Sequence, residues 1–106
     1  MRTPLFQLPA GHGLEIASFE LKEGVSEAEL QHAARQIDAD WLRHETGYQG
    51  YALLRGEERR FVHLTLADSP ERARQLCAQW PAEPACRDFL AAIAADTGHM
   101  DFYHCL

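Results

Sequence analysis

No apolar run in this chain approaches the roughly 18 residues that a membrane-spanning helix needs, so no membrane partner is predicted. The opening MRTPLFQLP is too short and too broken by proline to read as a secretory signal. Cysteine is scarce: Cys77, Cys86 and Cys105 form no C-x-x-C pair, and any single pairing leaves one thiol over. That pattern argues against a disulfide framework, and the thiols read as reduced, small apolar residues of a cytoplasmic protein. Positive charge is in deficit, with 10 basic residues against 16 acidic and a net charge of −6. The basic residues are also scattered, so nucleic acid is not an expected partner. Glycine is nowhere arranged to cradle phosphate, since Gly11-His-Gly13 lacks the helix-opening glycine that should follow. The six histidines form no H-x-x-x-H pair on a helix, and His99 and His104 point to opposite faces of one strand. No metal and no cofactor are predicted. Asparagine is absent altogether.

What remains is an alternation of strand and helix signals. A period-two segment over 14–22 puts Glu15, Ala17, Phe19 and Leu21 on one side and Leu14, Ile16 and Ser18 on the other. Ser26 and Glu29 make a capping box. Leu30, Ala33, Ala34, Ile37, Trp41 and Leu42 then recur at helical spacing, up to a stop at Gly47. Two strands over 48–55 and 60–66 flank GEER, a turn of hairpin length. Ser69-Pro70 opens a second helix, whose apolar stripe runs Ala73, Leu76, Cys77 and Trp80 until Pro81. Pro84 begins a short helical segment containing Phe89, Leu90 and Ile93, and a last strand covers 99–106. The order β-α-β-β-α-β predicts an α+β domain of ferredoxin-like topology with a four-stranded antiparallel sheet. A length of 106 residues fits a single domain, 1–106, with residues 1–13 as an irregular arm. Helices cover one face of such a sheet, yet both faces carry apolar residues. Closing the second face against a like surface predicts a homodimer.

The segments EIASFELKEGVSEAEL, ETGYQGYALLR, FVHLTLADSPERA and PACRDFLAAI together resemble the dimeric α/β-barrel superfamily, and within it the antibiotic-biosynthesis-monooxygenase-like group. The resemblance runs from about Leu14 to the C-terminus. It implies homodimers whose sheets meet across their helix-free faces, each protomer holding a ligand pocket. Some members of the superfamily oxidise aromatic polyketides without a cofactor; others cleave haem or isomerise lactones. Haem-degrading relatives use Asn, Trp and His. This chain has no asparagine, and Ala67 stands where a tryptophan commonly ends the third strand, so the resemblance does not extend to haem chemistry.

The candidate chemistry is a carboxylate beside an imidazole. Glu15 on the first strand and His63 on the third should be near neighbours on one face, where each can shift the other and move a proton near neutral pH. Around them Phe19, Tyr51, Phe61, Thr65 and Phe102 are expected to wall a pocket, with His104 joining from the sheet edge. Trp41 and Trp80 read as core. Such a wall suits a small aromatic or quinol-like molecule held by one or two hydrogen bonds. The resulting expectation is a cofactor-independent, monooxygenase-like enzyme. The alternative is a non-catalytic small-molecule-binding or protein-interaction dimer with the same cavity.

Overall fold

The structure, a computed structural model, describes residues 7–106. Of the arm expected over 1–13, residues 1–6 lie outside the described residues. Strands β1 (Gly13–Glu20), β2 (Tyr48–Arg55), β3 (Arg60–Ala67) and β4 (His99–His104) alternate with helices α1 (Glu27–Asp40), α2 (Pro70–Gln79) and α3 (Arg87–Ala91). The sheet is antiparallel throughout, in the order β2-β3-β1-β4. This is the predicted α+β, ferredoxin-like arrangement.

Both long helices start where the caps require. Ser26 accepts from the Glu29 amide at 3.1 Å, and Ser69 accepts from the Arg72 amide at 3.0 Å. Proline at the first position of α2 loses no bond, because that amide has no partner inside a helix. The first helix does not run to Gly47 as expected; it ends at Asp40. Trp41 leaves helical geometry at φ −138°, and a tight 3-10 turn over Leu42–His44 follows. Trp41 and Leu42 are adjacent, yet both are buried. A continuing helix would turn successive side chains about 100° apart, and the tightened turn brings both inward. Gly47, at φ +88°, instead shapes the turn into β2, where its carbonyl accepts from the Asp68 amide at 2.8 Å.

The other boundary differences also have local causes. The first strand stops at Glu20 rather than at 22, because Leu21 leaves the ladder for an isolated bridge with Ile93. Pro81 has no amide to continue α2, so Trp80 sits in a 3-10 turn, Trp80–Ala82, just beyond the helix. The segment from Pro84 begins as a 3-10 turn and becomes helical only over Arg87–Ala91. The last strand ends at His104, but Cys105 still pairs with the end of the arm. Its amide donates to His12 and its carbonyl accepts from Gly11.

The core lies between the helices and one face of the sheet. Phe19 and Phe61 stack with centroids 6.3 Å apart, and Phe89 meets Phe19 edge-on at 5.4 Å. Leu30, Ile37, Leu42 and Leu76 fill in from the helical side, all fully buried. Arg59 clasps the β1–α1 connection by donating to the carbonyls of Leu21, Lys22 and Val25. On the other face Ile16, Leu64 and Ala52 form one cross-strand row, flanked by Val62, Leu66 and Leu54. No helix among the described residues covers that face, and Leu54 is half exposed.

Candidate functional site

The register of β1 against β3 sets the site. Glu15 lies opposite Thr65, and Ala17 lies opposite His63. Glu15 and His63 are therefore diagonal neighbours on the helix-covered face, a placement in which Cα atoms lie roughly 7–8 Å apart. On the other flank of β1, Phe102 faces Glu15. Glu15, His63 and Thr65 are the buried polar side chains of the described residues, with exposures of 4%, 1% and 2%.

The two titratable groups respond to burial in opposite senses. Burial pushes the Glu15 carboxyl up from 4.5 to about 7, an effect partly offset by a hydrogen bond from the Thr65 hydroxyl. Burial pulls His63 down from 6.5 to about 4. Each is thus driven toward its neutral form. At neutral pH Glu15 is poised to gain or lose a proton, whereas His63 is a neutral imidazole. Its ring is enclosed by aromatic neighbours: Tyr51 stacks on it at 5.5 Å, and Trp80 and Phe89 meet it edge-on at 5.3 and 5.2 Å. Its Nδ1 is 3.5 Å from the Thr65 hydroxyl, while its Nε2 is buried without a hydrogen-bond partner.

A cavity of about 290 Å³ opens beside this cluster, between β1, the start of β4, the end of α2 and α3. Glu15 supplies a carboxyl to a wall otherwise made largely of Phe19, Cys77, Trp80, Phe89 and Met100. Of the residues expected to form the wall, the structure brings Glu15 and Phe19 to the cavity. His63 and Thr65 are buried outside its lining, with the partly buried Tyr51 stacked on His63. Phe61 is in the core. Phe102 packs against the core, under the Arg74 guanidinium at 4.9 Å. His104 is exposed, opposite Gly13 and one same-face step beyond Phe102, so it does not join Glu15 and His63.

Four wall residues had no signal in the sequence that separated them from core: Cys77, Trp80, Phe89 and Met100. Trp80, at the C-terminal cap of α2 with helical dihedrals, follows Cys77 on the same stripe, and both line the cavity. Cys77 donates to the Met100 sulfur at 3.1 Å. Burial, together with the nearby Glu15 charge, pushes its thiol up to about 11, so it is protonated and a poor nucleophile at neutral pH. Among the described residues, no three His, Cys, Asp or Glu side chains gather as a metal site requires. No helix among them is long and apolar enough to cross a membrane.

No protein-family model and no curated protein sequence matches the chain. Solved structures do match, in fold. SnoaB, a cofactor-independent oxygenase from Streptomyces nogalater, matches with a TM-score of 0.68 at 18% identity, over 92% of this chain and 95% of its own. A candidate antibiotic-biosynthesis monooxygenase from Bordetella bronchiseptica matches at 0.70 and 18%, over 91% and 98%. Another such candidate, from Nitrosomonas europaea, matches at 0.66 and 18%, over 95% and 96%. The structural neighbours are thus antibiotic-biosynthesis-monooxygenase-like proteins, and this chain shares their ferredoxin-like fold.

Proposed function

We propose that the chain is a small-molecule enzyme of the cofactor-independent, monooxygenase-like kind, acting on a compact aromatic or quinol-like compound. One observation carries the reading: a buried carboxyl with a pKa near neutrality on the wall of an otherwise apolar cavity. A phenol or quinol hydroxyl placed against Glu15 would meet a base able to take its proton at neutral pH, and the electron-rich anion so formed is the species that reacts with oxygen. The apolar wall fits the ring, and Trp80 and Phe89 offer edges and faces for it. The fold shared with a cofactor-independent oxygenase is in keeping with this chemistry.

The test is a thermal-shift screen of quinols and small aromatic acids, followed by oxygen uptake with any compound that stabilises the protein. Glu15→Gln keeps the shape and removes the base, so uptake should fall about 100-fold or more. Uptake that is indifferent to Glu15 would sink the proposal. Stabilisation without uptake would favour the second reading, a non-catalytic binding module in the same cavity. The midpoint of the Glu15 carboxyl supports either version.

The functional unit in this reading is a homodimer in a reducing, cytoplasmic setting. The support is the uncovered apolar face of the sheet together with three unpaired thiols. Two copies meeting across that face would bury Ile16, Val62, Leu64 and Leu66 around a two-fold axis. Light scattering should give twice the chain mass of 12.0 kDa. Leu64→Arg, in the middle of the face, should give the single mass with the helical content retained. A monomeric parent protein at micromolar concentration would overturn the dimer.

A further inference from the structure

We infer that Thr65 and His63 form a hydrogen-bond relay behind Glu15, in which the neutral His63 ring changes tautomer as Glu15 gains or loses its proton. The inference rests on the reading of Glu15 as the proton-exchanging group of the cavity, and it assigns roles to two residues that do not touch the ligand.

The geometry leaves few alternatives. Thr65 lies directly across the ladder from Glu15, close enough for its hydroxyl to lower the Glu15 pKa, and the same oxygen is 3.5 Å from His63 Nδ1. A hydroxyl has one proton to donate, so Thr65 cannot donate to both neighbours. With Glu15 ionised, Thr65 donates to the carboxylate and must accept from His63, which places the imidazole proton on Nδ1. With Glu15 protonated, the carboxyl donates to the Thr65 oxygen. Thr65 then turns its own proton to Nδ1, and the imidazole proton sits on Nε2. Between the two states one proton is gained, at Glu15. The ring carries one proton in both; Nδ1 passes its proton to Thr65 as Thr65 passes its own to Glu15, and the proton on Nε2 enters when transient opening exposes that buried nitrogen to solvent.

Nε2 is the atom that makes this affordable. It has no hydrogen-bond partner, so no competing contact fixes the tautomer. The His63 ring meets Trp80 and Phe89 edge-on, surroundings that tolerate either a bare nitrogen or an N–H directed at a ring. The ring stays uncharged while this happens, because its pKa is held near 4. Other groups around the cluster are Tyr51 on β2, stacked on His63; Cys77 on α2, a protonated thiol; and Arg74 on α2, seated over Phe102. His99 at the cavity rim on β4 is paired with Asp101 at 3.0 Å. No bond from any of these to His63 or Thr65 competes with the relay.

The experiment is nitrogen NMR of the histidine rings alongside carbon NMR of the Glu15 carboxyl, from about pH 5 to about pH 9. In the parent protein the two His63 nitrogens should exchange their protonated and bare signatures with the same midpoint as Glu15, near 7. Thr65→Val should uncouple them, so that Glu15 titrates and the tautomer stays fixed. Thr65→Ser should restore the coupling. If Thr65→Val does not fold, Glu15→Gln decides, because it should freeze one tautomer at every pH. A His63 tautomer that ignores the titration of Glu15 in the parent protein overturns the relay, as does a coupled change that survives Thr65→Val or Glu15→Gln. The measurement needs no ligand. Failure of quinol binding would therefore remove the proposed reaction and leave the relay standing, and the converse also holds.

Discussion

Gly13→Ala should lower the melting temperature by roughly 12–24 °C, the shift expected of a loss of about 3 kcal/mol in a domain of this size. Gly13 begins β1 where the N-terminus of α2 crosses it. A Cβ there would fall 2.5 Å from both the Pro70 nitrogen and the Ser69 carbonyl oxygen, with Pro70 Cα closer still. All three are backbone atoms and cannot rotate aside. Relief requires α2 to lift from the sheet, which would take Cys77 and the Trp80 turn away from Glu15 and open the cavity. Its backbone conformation is not the left-handed kind that favours glycine, so the cost is one of space alone. Gly98→Ala is the control: a Cβ there meets nothing within 4 Å, and stability should change by less than about 1 kcal/mol. Thermal melts of the two variants decide the matter. A Gly13→Ala protein within a few degrees of the parent would show that the strand and helix do not need this close approach.

The same crossing shows what the sequence could and could not reveal. The elements themselves were legible, because Ser26, Ser69-Pro70 and the alternation over 48–55 are local signals that the tertiary structure did not override. The alternation also placed Glu15, His63 and Thr65 on one face, and the sheet order brought them together. Gly13 as a packing contact was not legible, since nothing local marks which helix will cross a strand. Nor was the division of the site into a cavity wall and buried residues outside it. Phe19 and Phe61 are cross-strand partners of the same character, yet Phe19 lines the cavity and Phe61 lies in the core. That difference depends on where the chain after α2 packs, with Trp80, Pro81 and Phe89 on the cavity wall, and it has no periodic trace in sequence.

The second large effect concerns pH, and it should be visible only when the buried pair is broken. Glu15 has its pKa raised from 4.5 to about 7 in the folded state, so the native protein holds this proton where the unfolded chain has lost it. Its contribution is therefore full below pH 4.5 and is lost as pH rises to 7. His63 has its pKa lowered from 6.5 to about 4, so the unfolded chain holds a proton that the native ring refuses. Its contribution is full above pH 6.5 and is lost as pH falls to 4. Between pH 4.5 and 6.5 the two slopes have opposite sign and cancel. The parent protein should show a flat stability profile there in urea titrations. Glu15→Gln should unmask His63, with stability rising by about 3 kcal/mol from pH 4 to 6.5. His63→Phe, which keeps a ring among Tyr51, Trp80 and Phe89, should unmask Glu15, with stability falling by about 3 kcal/mol from pH 4.5 to 7. Single variants as flat as the parent would show that neither group is as strongly shifted as its burial implies. Within the flat window, folding turns a carboxylate and an imidazolium into a carboxylic acid and a neutral ring, at a constant cost of about 3 kcal/mol. A fold needs no such pair for packing, and an apolar pair of similar size would remove the cost. That these residues stand beside a cavity, with Thr65 linking them, is the strongest physical reason to treat the cluster as functional.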